Sequence, residues 1–100
     1  MFVLEQTETY KRWFSKLCDK NARARIDIRL SRLARGNPGD VRFVGEGVLE
    51  LKVDYGPGYR IYYMRRKQLI IMLLAGGDKR TQARDIRTAI ELAAIVRNER

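Results

Sequence analysis

The region that most constrains the fold is residues 49–85, where three strand-like stretches follow one another with turn signals between them. Apolar and polar residues alternate over Val48–Asp54, which is the first stretch. The Gly-Pro-Gly sequence at 56–58 is typical of a turn. The next stretch begins at Tyr59. The third, Leu69–Ala75, is apolar throughout, as in a strand that is buried on both faces. The region therefore predicts a mostly antiparallel meander of strands.

Two amphipathic helices precede this meander. Thr7 is placed to cap the first helix, and Asp19 is placed to cap the second. The Gly-Asn-Pro-Gly sequence at 36–39 ends the second helix. The apolar residues recur at helical spacing in both, namely Tyr10, Trp13, Phe14 and Leu17, then Ala22, Ile26, Leu30 and Leu33. The short connection predicts that the two helices form an antiparallel hairpin.

Three further elements complete the predicted order. Phe2–Glu5 is a brief first strand, Val41–Val44 is a weak strand, and a last helix begins at Asp78 or Thr81. Its inward residues are Ile86, Ala89, Ile90 and Ala93. We therefore predict one domain over residues 1–100 with an α+β fold of order β-α-α-β-β-β-α. The helical hairpin and the C-terminal helix pack on the sheet.

Gly76, Gly77 and Asp78 join the last strand to the last helix. We expect the two glycines to let the backbone turn sharply and Asp78 to cap the helix. A phosphate-binding role for the glycines is disfavoured because they are not part of a longer glycine-rich loop.

The charge balance indicates the class of partner. The chain has 21 Lys and Arg residues against 12 Asp and Glu, which gives a formal net charge of +9. Most of the basic residues are arginines, and a guanidinium binds phosphate through two parallel hydrogen bonds. This excess predicts a polyanionic partner. Histidine is absent, which removes the usual general base and weakens any case for a zinc site.

The sequence also predicts the compartment. Cys18 is the only cysteine, so we expect a reducing cytoplasm and a packed thiol at the end of a helix. The N-terminal ten residues lack the pattern of a signal peptide, and the apolar run Leu69–Ala75 is too short to cross a bilayer. We expect no membrane association, no cofactor and no metal.

A series of short motifs runs in a fixed order along residues 13–89. They are Ala24-Arg25-Ile26, Gly36-Asn37-Pro38-Gly39-Asp40, Val44-Gly45-Glu46-Gly47-Val48, Gly56-Pro57-Gly58-Tyr59-Arg60 and Gly76-Gly77-Asp78-Lys79. In this order and at this spacing, the sequence resembles the RelE/ParE superfamily of type II toxins. It is most similar to the HigB-like branch of addiction module killer proteins.

The resemblance implies a compact microbial toxin that a separately encoded antitoxin neutralises. We expect that antitoxin to be a helix-turn-helix, HigA-like protein, and the complex to bind operator DNA through it. RelE-like and HigB-like members cut mRNA in the ribosomal A site, which implies a ribosome-dependent endoribonuclease whose partners are the ribosome and mRNA. ParE-like members instead inhibit DNA gyrase, and this alternative stays open. A non-toxic RNA-binding module is a third hypothesis.

RNA cleavage of this kind needs no metal. The ribose 2′-OH attacks the adjacent phosphate, and cationic groups stabilise the charge that develops there. Arg60 matches the strand arginine of the family, and we predict that it binds this phosphate. The alternative is an ion pair across the sheet with Glu50 or Asp54. Tyr62 shares the Arg60 face and is our choice for a site tyrosine, in proton transfer or base stacking.

Two lysines complete the predicted catalytic set. Lys52 matches a basic position on the preceding strand of the RelE-like site. Lys79 falls where relatives carry a phosphate-contacting arginine. The alternative for each is an ordinary solvated lysine. The second basic residue of the family is replaced by Glu50, and no tyrosine follows Tyr63, so the proton-transfer group stays open.

Two further groups of arginines are predicted to contact RNA or the ribosome. Arg25, Arg29 and Arg32 form a stripe at helical spacing on the second predicted helix (α2), which lies between Asp19 and Gly36. We call this set the α2 arginine stripe. Arg65 and Arg66 lie in a predicted polar hairpin tip. The alternatives for the stripe are a solvated helix face and a contact with an acidic antitoxin.

Overall fold

The computed structural model describes residues 1–99 and has the predicted order of elements. Five strands form one sheet in the order β1-β5-β4-β3-β2. The elements are β1 (Val3–Gln6), α1 (Glu8–Ser15), α2 (Lys20–Ala34), β2 (Val41–Gly45), β3 (Val48–Val53), β4 (Tyr59–Arg66), β5 (Ile70–Gly77) and α3 (Gln82–Asn98). A single turn of 3-10 helix, Lys79–Thr81, leads into α3.

The sheet is an antiparallel meander of β2 to β5, with β1 added in parallel beside β5. β4 is longer than predicted. Arg65 and Arg66 continue its pairing, opposite Ile71 and Ile70, so they belong to the strand and not to the hairpin tip. The turn follows them, and Lys67 adopts a φ of 65° there.

Helices cover both faces of the sheet. On one face α1 and α2 pack on a core that includes Leu51, Ile61 and Leu73. On the other face α3 packs on a core that includes Tyr62 and Leu74. The interior strand β5 therefore contributes buried side chains to both layers, as its unbroken apolar sequence predicted.

Side-chain caps begin α1 and α2 where the sequence predicted them. The hydroxyl of Thr7 accepts from the amide of Tyr10 at 3.1 Å. The carboxylate of Asp19 accepts from the amides of Asn21 and Ala22. The prediction for Cys18 is wrong. Its thiol is exposed, because α1 ends at Ser15 and leaves the cysteine in the connection between the helices.

The glycines at the end of β5 have a different role from the predicted one. Gly76 and Gly77 have ordinary extended conformations within the strand. A Cβ at Gly76 would overlap the indole of Trp13, and one at Gly77 would overlap the carboxylate of Asp85. They are needed for close packing and not for a turn. The carboxylate of Asp78 accepts from the amide of Arg80 and caps the 3-10 turn.

The last helix has the predicted inward face. Ala89, Ala93 and Val96 are buried against the sheet, with Ile86 and Ile90 packed beside them. Among residues 1–99, no helix is both long enough and apolar enough to span a membrane.

Candidate functional site

The register of β3 and β4 brings two of the predicted site residues together. Lys52 lies directly opposite Arg60. Both side chains line a pocket of about 270 Å³ at the sheet surface. Its lining consists of Asp40, Arg42, Glu50, Lys52, Arg60 and Gln82, and we call it the Arg60 pocket.

Arg60 is held in place, but its hydrogen-bonding capacity is not exhausted. The residue is only 6% exposed, and its Nη1 donates to the carbonyl oxygen of Gly58 at 2.6 Å. The buried Nε has no hydrogen-bond partner within residues 1–99 and lies 4.0 Å from Oε2 of Glu50. A buried donor without a partner costs about 1–3 kcal/mol. Nε itself is enclosed within the protein, whereas Nη2 has no hydrogen bond within residues 1–99 and is the donor that an anionic oxygen in the pocket would meet.

Glu50 lies beneath this arginine and is bonded by three side chains from three elements. Its Oε1 accepts from Nε of Arg42 on β2 at 2.9 Å. Its Oε2 accepts from the hydroxyl of Tyr62 on β4 at 3.0 Å and from Nε2 of Gln82 on α3 at 2.9 Å. Glu50 is only 3% exposed. One buried carboxylate therefore connects β2, β3, β4 and α3 under the pocket.

The surroundings of Glu50 and Tyr62 shift the pKa of each group, and the directions of these shifts give their protonation states at neutral pH. Burial by itself raises the pKa of Glu50, but the hydrogen bonds from Arg42, Gln82 and Tyr62 hold the pKa below its ordinary value. Burial, followed by the charge of Glu50, raises the pKa of Tyr62. At neutral pH, Glu50 is therefore an ionised acceptor and Tyr62 is a protonated donor.

Tyr62 lies on the Arg60 face, as predicted, but it does not reach the open pocket. The side chain is fully buried in the core under α3, and its hydroxyl bonds Glu50. A base cannot stack on a ring that has no exposed surface. The predicted stacking role of Tyr62 is therefore excluded in this conformation, and the contact that remains is the one that fixes Glu50.

Lys79 lies at the rim of the pocket. Its amide donates to the carbonyl oxygen of Pro57 at 3.4 Å. A Cβ built on Gly58 would be 3.9 Å from Cβ of Lys79 and 2.9 Å from Nη1 of Arg60, so both residues flank the same turn. The side chain of Lys79 is exposed. Lys52, Arg60 and Lys79 thus share one end of the sheet, with Lys79 outside the lining.

Two residues of the cluster were not predicted from the sequence. Arg42 lies opposite Glu50 in the register of β2 and β3. Regular counting back across the turn would place Phe43 opposite Glu50, and a register shift between Phe43 and Gly45 brings Arg42 there instead, so the sequence did not indicate this pair. Gln82 comes from α3, and no local pattern indicates that it contacts Glu50.

The α2 arginine stripe separates into three environments. Arg29 donates to the carbonyl oxygens of Pro38, Asp40 and Lys52, so its guanidinium is engaged inside the protein. Arg29 nevertheless lines a surface pocket of about 320 Å³ together with Arg25 and Arg32, so its RNA contact stays a prediction. Arg25 lies over the ring of Tyr55 with Cζ 4.5 Å from the centroid, and Arg32 is exposed.

Arg65 and Arg66 lie at the C-terminal end of β4, whereas Arg60 lies near the N-terminal end of that strand. Arg65 donates to the carbonyl oxygen of Gln68 and stacks on the ring of Phe2. Arg66 pairs with Glu5 at 3.5 Å. Neither side chain lines the Arg60 pocket.

The family model for phage-derived Gp49-like proteins (DUF891) matches residues 12–97 of the chain. The chain belongs to the Gp49-like family. A relative in Haemophilus influenzae, an uncharacterized protein, is 43% identical over 90 residues, which are 90% of this chain and 91% of that protein. The matched range includes every residue that lines the Arg60 pocket of this Gp49-like protein.

Solved structures show that the Gp49-like chain has a RelE-like fold. The isolated RelE toxin of Escherichia coli matches with a TM-score of 0.67 and 14% identity, over 87% of this chain and 97% of RelE. A chain of the intact Escherichia coli RelBE toxin–antitoxin complex matches with a TM-score of 0.66 and 17% identity, over 78% of this chain and 96% of that chain.

Proposed function

We propose that this Gp49-like protein is the toxin of a type II toxin–antitoxin pair, of the HigB-like branch, and that it is a ribosome-dependent mRNA endonuclease. The observation that carries the proposal is the Arg60 pocket. Lys52 and Arg60 face each other on a RelE-like sheet and line one pocket, where Nη1 of Arg60 is fixed by Gly58 and Nη2 has no hydrogen bond within residues 1–99. Such an arrangement is preorganised for a phosphate oxygen, because folding has already fixed the guanidinium.

The proposed reaction breaks an RNA strand without a metal. The 2′-oxygen bonds to phosphorus, the 5′-oxygen of the next nucleotide leaves, and a 2′,3′-cyclic phosphate and a 5′-hydroxyl result. Arg60 and Lys52 stabilise the additional negative charge on the phosphate oxygens in the transition state. Lys79, at the rim, binds a neighbouring phosphate.

The Glu50 cluster offers no free acceptor for the 2′-OH proton, which leaves Asp40 as the carboxylate of the lining that has no side-chain partner within residues 1–99. Glu50 is ionised, but it already accepts from Arg42, Tyr62 and Gln82. Tyr62 is protonated and buried. Asp40, a bound water or a group of the ribosome would accept this proton, and a protonated group of the same kind would supply one to the departing 5′-oxygen.

The proposal extends to partners and compartment. One structure that the chain resembles is a toxin–antitoxin complex. We propose a cognate antitoxin with a helix-turn-helix domain, HigA-like, whose acidic residues cover the cationic pocket and through which the complex binds operator DNA. Ribosomes and mRNA as targets place the activity in the cytoplasm.

One observation favours a second candidate, a ParE-like gyrase inhibitor without nuclease activity. Glu50 stands where the resemblance expects a second basic residue, and it neutralises part of the charge of Arg42 and Arg60.

Induced expression in a bacterial host tests these alternatives. We expect growth to stop with the wild-type chain and to continue with Arg60→Ala, whereas the control Lys11→Ala stays toxic because Lys11 is exposed and does not line the pocket. Primer extension on cellular mRNA should show new 5′ ends. Arrest with no new ends and with relaxed plasmid DNA would support the gyrase inhibitor. Harmless wild-type and variant chains would contradict both.

A further inference from the structure

A second cationic opening lies on the other side of the first turn of α3. β1 ends at Gln6, which pairs with Leu73, so β5 has no strand beside it on this edge from Ala75 onward. The gap between α1 and α3 here forms a crevice of about 290 Å³. We call it the Trp13 crevice, and its lining includes Arg12, Trp13, Lys16, Gly76, Arg84 and Asp85.

The wall of the crevice is a fixed aromatic ring. Trp13 packs directly on the backbone of Gly76, where no side chain could fit. Its ring also contacts Tyr10 and Tyr59, with centroids 5.7 and 6.3 Å away. The indole is half-buried, so one part is held rigidly while another part faces the crevice. A rigid, partly exposed aromatic ring is a surface on which a nucleobase stacks.

Cations surround this ring from two helices. Arg12 lies on α1 and Lys16 is the C-cap residue of that helix, whereas Arg84 comes from α3 with its side chain 68% exposed. Neither Arg12 nor Lys16 has a side-chain hydrogen bond or ion pair with any of residues 1–99. Asp85 is the acidic residue in the lining, and its carboxylate already bonds Thr81 and Arg84. The free charge in the crevice is therefore positive.

The crevice adjoins the Arg60 pocket. Arg60 pairs with Gly77, the neighbour of Gly76. Gln82 lines the Arg60 pocket, whereas Arg84, two residues later, lines the Trp13 crevice. The two openings are thus separated by the first turn of α3, which is within the reach of a few nucleotides of one strand.

We propose that the Trp13 crevice is a second RNA subsite, in which the indole stacks on one base while Arg12, Lys16 and Arg84 bind the flanking phosphates. The choice of RNA rests on the proposed function, whereas the combination of a rigid aromatic ring with two unpaired cations, Arg12 and Lys16, points to a nucleotide without it. A nucleotide held here positions the strand so that a phosphate a few linkages away lies in the Arg60 pocket.

Trp13 is the only tryptophan of the chain, so its fluorescence reports on this crevice directly. The probe is a single-stranded RNA hexamer with 2′-O-methyl riboses, which cannot be cleaved by 2′-OH attack. We expect the hexamer to quench the fluorescence of Trp13 in a saturable way. Inorganic polyphosphate of equal charge has no base to stack, and we expect it to leave the fluorescence unchanged.

Charge variants locate the binding site. We expect Lys16→Gln and Arg84→Gln each to weaken hexamer binding several-fold. Each should also lower the slope of log affinity against log salt by about 0.7, the value for one phosphate contact on a single strand. The control is Lys11→Gln, because Lys11 is on the same helix but pairs with Glu8 and does not line the crevice.

Three outcomes would overturn the subsite. They are hexamer binding without quenching, equal quenching by polyphosphate, and a loss of affinity in Lys11→Gln as large as that in Lys16→Gln. The proposed function is tested separately, because Arg60→Ala should abolish growth arrest and leave the quenching in place. A wild-type chain that binds and quenches but does not arrest growth would overturn the proposed function and support the subsite.

Discussion

The Arg60 pocket and the α2 arginine stripe were both predicted from basic residues at regular spacing, yet the fold gives them opposite environments. In the pocket, Arg60 is buried beside an ionised carboxylate and keeps a free donor. In the stripe, Arg32 is exposed and Arg29 has its guanidinium engaged by backbone carbonyls. An arginine is thus available for a ligand only when its neighbours fix its position without occupying all its donors.

Removal of Glu50 gives the largest expected effect on this comparison. Glu50→Ala leaves the buried guanidinium of Arg60 without its counter-charge, and loss of one partner of a buried pair costs about 3–5 kcal/mol. We expect a decrease of this size in the free energy of unfolding, measured by urea denaturation. The matched control is Glu91→Ala on the exposed face of α3, which should change stability by less than about 0.5 kcal/mol. Equal effects in both variants would contradict a central role for Glu50.

The stripe provides the next contrast. Arg29→Ala removes charged hydrogen bonds to three carbonyl oxygens, and a hydrogen bond from a charged group is worth about 1.5–3 kcal/mol. We expect Arg29→Ala to lower the free energy of unfolding by about 2–3 kcal/mol. Arg32→Ala, one turn later on the same helix, should stay within about 0.5 kcal/mol of wild type. Similar stabilities for the two variants would show that Arg29 is no more structural than its neighbour.

Acid should remove the contribution of Glu50 to folding stability at the Arg60 pocket, whereas the arginines of the stripe keep their charge. The pKa of Glu50 in the folded state is below its ordinary value of 4.5, so its ionisation stabilises the fold at neutral pH. This contribution is lost as the pH falls below about 4.5 through the folded-state pKa. We expect the stability difference between wild type and Glu50→Gln to shrink between neutral pH and about pH 3. Urea denaturation at several pH values checks this, and a constant difference would contradict it.

The smallest expected effect lies at the exposed end of the stripe. Arg25 stacks on Tyr55, and an exposed cation–π contact is worth about 0.5–1 kcal/mol. We expect Arg25→Ala and Tyr55→Leu each to lower stability by about this amount. The double variant should lose less than the sum of the two, because both remove the same contact. Strictly additive losses in a double-mutant cycle would show that the contact contributes nothing.

Local chemistry determined much of this fold from the sequence alone. Thr7 and Asp19 cap helices because their side chains bond amides two or three residues away. The alternation around Leu51 and Lys52 assigns the two faces of β3 without knowledge of any other element. The same alternation places Lys52 and Arg60 on one face, and the turn between them sets the register that pairs them.

Tertiary structure alone decided which polar groups meet across long distances in the chain. Gln82 reaches Glu50 from 32 positions away, and Arg29 reaches the carbonyl of Lys52 from 23 positions away. Gly76 is needed because Trp13 packs on it from another helix. Side-chain periodicity reports only which face a residue occupies. The partner on that face depends on how the layers stack, and that is set by the packing of the whole core.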